Sequence, residues 1–428
     1  MRVVFLSPTY PPEMRQFTRG LAEVGAEVLG VGDGSPDPAL RRYLADYLQV
    51  PSIMDEEDVI ARVRAWLRGR DVDHVLANWE PLVIVAARLR EQFGLPGMSV
   101  DTVRGFRDKQ LMKERVAAAG LRVPRAQRVR SVHDAWAAVE LTGYPAIIKP
   151  ISGAGSADTY KVESAKDMEG VLPHMRHVTE AICEEFIEGE EYTYDTACIG
   201  GKPAYESVTR YLPNALEMRS LEWVSPIMLS VRDLTQPHIT PGIELGRNVL
   251  RALGMGDGMT HMEWFRKPDG EVVFGEIACR PGGACIVDQM NYTSDIDLFV
   301  EWARVVTARR FDAPLDAAAG DRGTVARDMD VIDIERHVQE RQQLAREHHG
   351  AAHDDQNQRI AVLQLPPDLA GQAPYRRLHL VGAGHEVGIL QERPGFLRIQ
   401  HVSGRAGAGI RRSPCPFPGG AGPAPRWP

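Results

Sequence analysis

Residues 258–283 read GMTHMEWFRKPDGEVVFGEIACRPGG, with Glu263 and Glu276 in two alternating runs on either side of a Lys-Pro-Asp-Gly turn. A half-buried strand prefers apolar or β-branched side chains at such positions. The two carboxylates are thirteen positions apart. In a hairpin such positions can face each other, and like charges there repel unless a cation lies between them. Mg²⁺ suits that place, being oxygen-liking and usually held by one or two carboxylates together with phosphate oxygens. Arg280, four residues beyond Glu276, could then reach a transferred phosphate or a developing oxyanion. His261 stands two residues before Glu263, where substrate contact and an ordinary place in strand packing fit equally well.

Two further stretches carry chemistry of the same kind. Lys149 closes an apolar run and is followed by Pro150 and SGAGS at 152–156. An ammonium beside small residues with approachable backbone N–H groups outlines a phosphate cradle, although a plain Gly-rich hairpin turn has the same composition. Glu184, Glu185, Glu188, Glu190 and Glu191 crowd around Phe186, Ile187 and Gly189. Ordinary alternation on a solvated edge explains each of them singly. Taken together they allow a strand that leaves its sheet and offers its backbone to a base edge, with a carboxylate farther on accepting two ribose hydroxyls.

These groups need elements to hold them. Over the first hundred residues RVVFLS, AEVLGVGD and VDHVLAN read as strands, and MRQFTRGLAEVG, DVIARVRAWLRGR and PLVIVAARLREQFG as helices, giving βαβ order and a mostly parallel sheet. No G-x-G-x-x-G follows the first strand, so a dinucleotide is not the expected ligand. The stretch NWE at 78–80 ends the third of these strands, where α/β sheets bind ligands. From Asp101 the texture changes. RDKQLMKERVAAAG is a basic amphipathic helix stopped by Gly120, SVHDAWAAVELTG is a helix capped by Ser131, and YPAIIKPISGAGSADTYKV is strand, turn and strand. Long antiparallel strands follow, turned at Gly189 and at Gly200-Gly201. After Phe311 the pattern weakens, and the Pro/Gly-rich end is expected to be disordered.

Composition limits the setting. The 428 residues are 43% hydrophobic and 25% charged, enough for a large core in two or three domains, and the net charge is -8. Nucleic-acid and membrane-surface roles both need a basic face, so neither is expected. Five cysteines in no metal-binding spacing suit a reduced compartment, and the cytoplasm is the expected location. The start lacks a signal-peptide core and no run of 18 apolar residues occurs, so no membrane span is expected.

The order RDK (107–109), IIKP (147–150), SGAGS (152–156), EEFIEGEE (184–191) and EIACRPGG (276–283) resembles the ATP-grasp superfamily of carboxylate-amine ligases over about residues 1–310. THME at 260–263 is most similar to the L-amino-acid (dipeptide) ligase branch. The resemblance implies an α/β and α+β fold: a Rossmann-like pre-ATP-grasp domain over 1–100, then a two-lobed ATP-grasp domain with antiparallel sheets over 101–311. Its ATP lid would span about 125–187, leaving 312–428 as a poorly matched C-terminal segment. It further implies that Lys109 and Lys149 bind ATP phosphates under a loop containing Ser152, Gly153, Gly155 and Ser156. Glu184 and the backbone of Glu185, Phe186 and Ile187 would hold adenine, and Glu191 the ribose. Glu263 and Glu276 would ligate Mg²⁺, with Mn²⁺ as a substitute, while Arg280 and His261 serve the reacting centre. The partners would be a small carboxylate and an amine, both amino acids in the first instance, with a homodimer as one allowed assembly. The implied reaction makes an acyl phosphate and then an amide, releasing ADP and phosphate. Two departures stand out. Family members often carry Asn two residues after the second metal Glu, where this chain has Ala278, and the segment after Asp312 does not match. The alternatives are a two-Rossmann-domain glycosyltransferase, suggested by MRVVFLSPTYPP, and a nucleotide-binding protein with reduced catalysis.

Overall fold

The computed structural model of the chain describes residues 1–151, 158–220, 227–283 and 285–314, and the backbone of three later strands at 375–379, 386–393 and 396–401. The described residues fall in two units, Met1–Val208 with Val231–Pro314, and Thr209–Ser230 with the three later strands.

The first unit begins with β1 (Arg2–Leu6), α1 (Met14–Glu23), β2 (Glu27–Gly32), α2 (Pro38–Arg41), β3 (Asp46–Gln49), α3 (Glu56–Trp66), β4 (His74–Leu76) and α4 (Val83–Phe93). The four strands are parallel in the order β3-β2-β1-β4, as the β-branched runs require. Short β3, an edge strand of sequence DYLQ, lacks that pattern and is an addition to the sequence reading. Because β2 and β4 flank β1, the sheet changes winding direction there, and the loops after β1 and β4 border the crevice. Tyr10 from one loop meets Trp79 from the other edge-on at 5.0 Å.

After α5 (Val100–Gly105) and α6 (Lys109–Ala118) comes a lobe made of β5 (Ala126–Val129), α7 (Val132–Thr142), β6 (Ala146–Pro150), β7 (Tyr160–Val162), α8 (Ala165–Val171) and β8 (Ala181–Glu185). Its strands are antiparallel in the order β5-β8-β6-β7. The Ser131 hydroxyl accepts from the Asp134 amide and starts α7. Ala135, Ala138 and Val139 of α7 pack on Ala146, Ile148 and Cys183 of the sheet. Strand alternation therefore sends Lys149 and Glu184 to the opposite face.

The chain then forms β9 (Glu190–Ile199) and β10 (Lys202–Leu212), followed by α9 (Ala215–Ser220) and β11 (Ile227–Val231). Next come α10 (Thr240–Leu253), β12 (Gly258–Arg266), β13 (Val272–Ala278), α11 (Ile286–Ser294) and α12 (Leu298–Ala308). Strands β10, β9, β12 and β13 lie side by side. The expected turn at Gly189 is corrected: β8 belongs to the lobe sheet, β9 to this one, and residues 186–189 carry the chain between them. The edges of β8 are already paired to β5 and β6, so no hairpin with β9 is open to it.

One face of the β9–β12–β13 sheet is a tight core. Trp264 stacks on Tyr192 at 4.6 Å, and α10 lies against them. A Cβ on Gly242 would fall 2.2 Å from the Trp264 ring and one on Gly246 2.3 Å from Tyr194, so α10 needs bare backbone at both places. Helix α12 returns to α1, where Phe17 meets Phe299 and Trp302 edge-on at 4.9 Å. In the second unit β14 (Tyr375–His379), β15 (Glu386–Arg393) and β16 (Phe396–His401) form an antiparallel meander. The expectation of a disordered Pro/Gly-rich end falls on a segment outside the described residues.

Candidate active site

Glu263 and Glu276 are direct cross-strand partners on β12 and β13. Nearer the turn Arg266 pairs Val272 and Trp264 pairs Phe274, a register that would have put Glu263 opposite Gly275 and sent Glu276 to the aromatic core face. A bulge between Glu263 and Trp264 absorbs Gly275 as the extra residue and brings both carboxylates to the open face. Glycine is required there, because a Cβ would lie 2.8 Å from the Glu263 carbonyl oxygen.

The two carboxylates differ in charge environment. Burial and the neighbouring Glu276 both push Glu263 upward from the usual carboxylate range. Burial would raise Glu276 too, but Lys109, Lys149 and Lys113 outweigh it and hold that carboxyl well below the usual range. The pair is thus short of positive charge on the Glu263 side, which fits a divalent cation. Among the described residues no group of three or more His, Cys, Asp and Glu side chains gathers at metal-binding range. The chain would supply two carboxylates and leave the other positions to phosphate and water.

Lys149 reaches across from the lobe sheet. Its Nζ lies 3.1 Å from Glu276 Oε2 and 3.4 Å from Glu184 Oε2. Burial alone would lower this ammonium, but Glu184 and Glu276 more than reverse that and raise it. Lys109 is the first residue of α6, where Asp108 caps the helix by accepting from the Gln110 and Leu111 amides. Its Nζ stands 3.5 Å from Glu276. One turn later Lys113, absent from the sequence reading, is buried, donates to the Gly275 carbonyl at 3.1 Å and pairs with Glu184 at 2.9 Å. Its signal was the i, i+4 spacing from Lys109. Glu184 was expected beside adenine, whereas its carboxylate is engaged by Lys113 and Lys149 and is held low by them against the raising effect of burial.

Arg280 is held from the other end of the chain. Its Nε donates to Glu80 Oε2 at 2.5 Å and its Nη1 to the Pro281 carbonyl at 2.7 Å. Glu80, just past β4, also accepts from Arg107 at 2.7 Å. Those two guanidiniums outweigh burial and keep the Glu80 carboxyl below its usual range. Sequence reading identified NWE as a strand end but could not name a partner 200 positions away. His261 lies on the same face as Glu263, its Nε2 3.9 Å from Glu263 Oε1 and its Nδ1 2.7 Å from Asp195 Oδ1. Asp195 was also missed, since it becomes visible only when β9 is paired with β12.

The other expected positions are distributed as follows. Ser152, Gly153, Gly155 and Ser156 lie outside the described residues. Glu185 is tied to Arg122 at 2.9 Å and to Arg125, and its amide donates to the Arg125 carbonyl. The Phe186 amide donates to the Pro145 carbonyl, and Lys161 Nζ sits 4.4 Å above the Phe186 ring. Ile187 is buried, as is Glu191, which pairs Phe265 at the start of β9.

Residues 142–288 match the ATP-grasp domain family model. The L-arginine-specific L-amino acid ligase of Bacillus subtilis is 29% identical over 235 residues, covering 53% of this chain and 56% of that protein. The alanine–anticapsin ligase of Bacillus subtilis is 24% identical over 273 residues, covering 57% and 56%. The crystal structure of an L-amino acid ligase from Bacillus licheniformis superposes with a TM-score of 0.59 at 19% identity, over 72% of this chain and 74% of that one. The chain carries an ATP-grasp domain, its fold is that of the ATP-grasp enzymes, and the relatives support the amino-acid ligase branch of the resemblance. It spans about half the length of the curated relatives it matches. ATP-grasp ligases use ATP with a divalent metal. Among the described residues no helix is long and apolar enough to cross a membrane.

Proposed function

We propose that this protein is an ATP-dependent carboxylate-amine ligase that joins amino acids through an acyl phosphate, releasing ADP and phosphate. The observation that carries the reading is the convergence on Glu276 of Lys149 and Lys109 from two different elements, with Glu263 facing it and Arg280 four residues on. Three lysines around one cleft are a cradle for a polyphosphate, since an ammonium is a charged donor to phosphate oxygens. Lys109 and Lys149 take the phosphates in this reading, and Glu184 directs Lys149. Because the Glu185 and Phe186 amides are already engaged, a base edge would be met by the Glu185 carbonyl and the Ile187 amide, with Glu191 toward the ribose. Glu263 and Glu276 would hold Mg²⁺, for which Mn²⁺ could substitute; the ion supplies positive charge to the phosphates when bound.

Arg280, oriented by Glu80, stabilises charge on the substrate carboxyl and the phosphoryl group during transfer. A carboxylate oxygen bonds to the terminal phosphorus as ADP leaves. The amine nitrogen then bonds to the acyl carbon as phosphate leaves, and the amine loses a proton. Positioning and electrostatics account for the rate in such a site. The names of the relatives specify different amino acids, so the substrates are read here as L-amino acids and no finer. We place the protein in the cytoplasm, since Cys183, Cys198 and Cys279 are thiols outside any disulfide among the described residues, and take a homodimer as the assembly to test by light scattering. Pairs of amino acids, arginine and alanine among them, should be screened for ADP and phosphate release. Release that needs both a carboxylate and an amine is expected; nucleotide turnover indifferent to both would overturn the ligase reading.

A further inference from the structure

Three strands of the second sheet place two rows of side chains on the open face. Thr193, Glu263 and Glu276 form one row across β9, β12 and β13, and Asp195, His261 and Ala278 form the next. The second row has a carboxylate at one end and a methyl group at the other, so the imidazole has a single hydrogen-bonding neighbour along the row. His261 Nδ1 lies 2.7 Å from Asp195 Oδ1, and Thr193 Oγ1 donates to Asp195 Oδ2 at 2.6 Å. Asp195 is 1% exposed. A buried carboxylate is costly without donors, and these two satisfy one oxygen each. A carboxylate accepts and cannot donate, so Nδ1 carries the hydrogen and Nε2 is the atom turned toward Glu263, 3.9 Å away. The Arg-Pro-Gly-Gly turn closes over the ring: a Cβ on Gly282 would come 3.0 Å from Nδ1, so bare backbone is needed where the turn crosses His261.

We infer that Asp195 is a positioning residue: with Thr193 as its second anchor, it fixes the His261 ring so that Nε2 faces the reacting groups between Glu263 and Arg280. The inference rests on the ligase reading for what Nε2 meets, and on geometry alone for the Asp195–His261 contact. Ala278 offers no polar atom where the resemblance would put Asn, which leaves Nε2 as the polar group of this row nearest the cleft. Removing Asp195 frees the ring to turn about both side-chain bonds, and a contact that depended on its direction is lost while the ring itself remains.

The test uses the full chain with Asp195→Ala, Asp195→Asn, His261→Ala and the double variant Asp195→Ala with His261→Ala. Ring ¹⁵N NMR, with the His261 signals assigned by their loss in His261→Ala, reads the geometry without any turnover. A ring with Nδ1 held protonated is expected in the parent and an exchanging mixture in Asp195→Ala; an unchanged ring spectrum would overturn the inference. ATP-dependent phosphate release should fall about 10- to 100-fold in kcat in Asp195→Ala, the usual cost of losing a group that orients a site histidine. The KM for ATP should not move. The double variant should be no slower than His261→Ala, whereas losses that multiply would show that Asp195 acts elsewhere and would overturn the proposal. Asp195→Asn keeps the size and serves if Asp195→Ala does not fold. If the parent releases no phosphate with any substrate pair, the ligase reading fails while the NMR comparison still decides the role of Asp195.

Discussion

On the β13 side of the hairpin, Glu276 faces the ammoniums of Lys149 and Lys109 at 3.1 and 3.5 Å, and Lys113 adds to their effect. Across the same pair of strands, Glu263 faces Glu276 and, at 3.9 Å, the imidazole of His261. Identical side chains, directly paired across two strands, are therefore driven in opposite directions, Glu276 toward the ionised form and Glu263 toward the neutral acid. The difference teaches how the cleft divides its charge. Lysines face one carboxylate in the folded chain, and the other would be open to a cation arriving with the nucleotide under the proposed function.

Breaking the compensated side should cost most. Glu276→Gln removes the anion that Lys109 and Lys149 share, so phosphate release should fall by more than about 10³-fold at any accessible Mg²⁺ concentration, beyond the loss of one oxyanion donor. The metal-free variant should also melt earlier, by the equivalent of about 1–3 kcal/mol for buried charges left without their partner. Glu263→Gln provides the contrast. It replaces a carboxyl already pushed toward neutrality, so its metal-free melting temperature should match or exceed the parent while turnover still falls. Equal melting losses in the two variants would erase the asymmetry.

Next in size is Arg280. Arg280→Met should lower kcat by about 10²-fold with ATP affinity retained, since its contacts strengthen with charge that develops during transfer. Arg280→Lys should recover part of the rate, a point charge lacking the planar fork. A purely structural Arg280, ordering its turn through Glu80, predicts a lower melting temperature with normal turnover per folded molecule. Glu80→Gln should then cost about tenfold in kcat through misdirected guanidinium geometry. Combined with Arg280→Met it should add nothing further, and multiplied losses would assign Glu80 a separate task.

How much of this could be read in the sequence follows from the range of each interaction. The parallel sheet β2-β1-β4 and the cap at Ser131 are local, set by β-branched runs and by a hydroxyl three residues from an orphan amide. Lys149, Glu263 and Glu276 stood out as polar residues closing or interrupting apolar strands, and Arg280 by its place four residues beyond Glu276. Gly275 did not, since one inserted residue changes which face Glu276 occupies without altering the hairpin pattern. The turn at Gly189 was misread for a related reason: two good strands in sequence look like a hairpin unless their edges are known to be taken. Lys113 and Asp195 looked like ordinary members of an amphipathic helix and an alternating strand. Their partners Glu184 and His261 are 71 and 66 positions away in sequence, and only the approach of α6 to β8 and the pairing of β9 with β12 bring them within 3 Å.

The smallest expected effect tests whether the charge cluster and the nucleoside end act independently. Glu191 is buried at the start of β9, opposite Phe265 rather than beside either metal-facing carboxylate. If it accepts from the ribose hydroxyls, those contacts are the same in the ground and transition states. Their loss then raises KM for ATP and leaves kcat nearly unchanged. Glu191→Ala should raise that KM by about 2- to 10-fold, the equivalent of ~0.5–1.5 kcal/mol for one hydrogen bond. If Glu263 and Glu276 hold Mg²⁺ as proposed, the Mg²⁺ dependence of turnover should keep its midpoint. A deoxyribose nucleotide lacking one of the two hydroxyls sharpens the measurement, because the parent should discriminate against it and Glu191→Ala should discriminate less. An unchanged KM for ATP would remove the ribose from Glu191. A shifted Mg²⁺ midpoint would instead tie Glu191 to the carboxylate pair, and the separation between the two ends of the cleft would have to be given up.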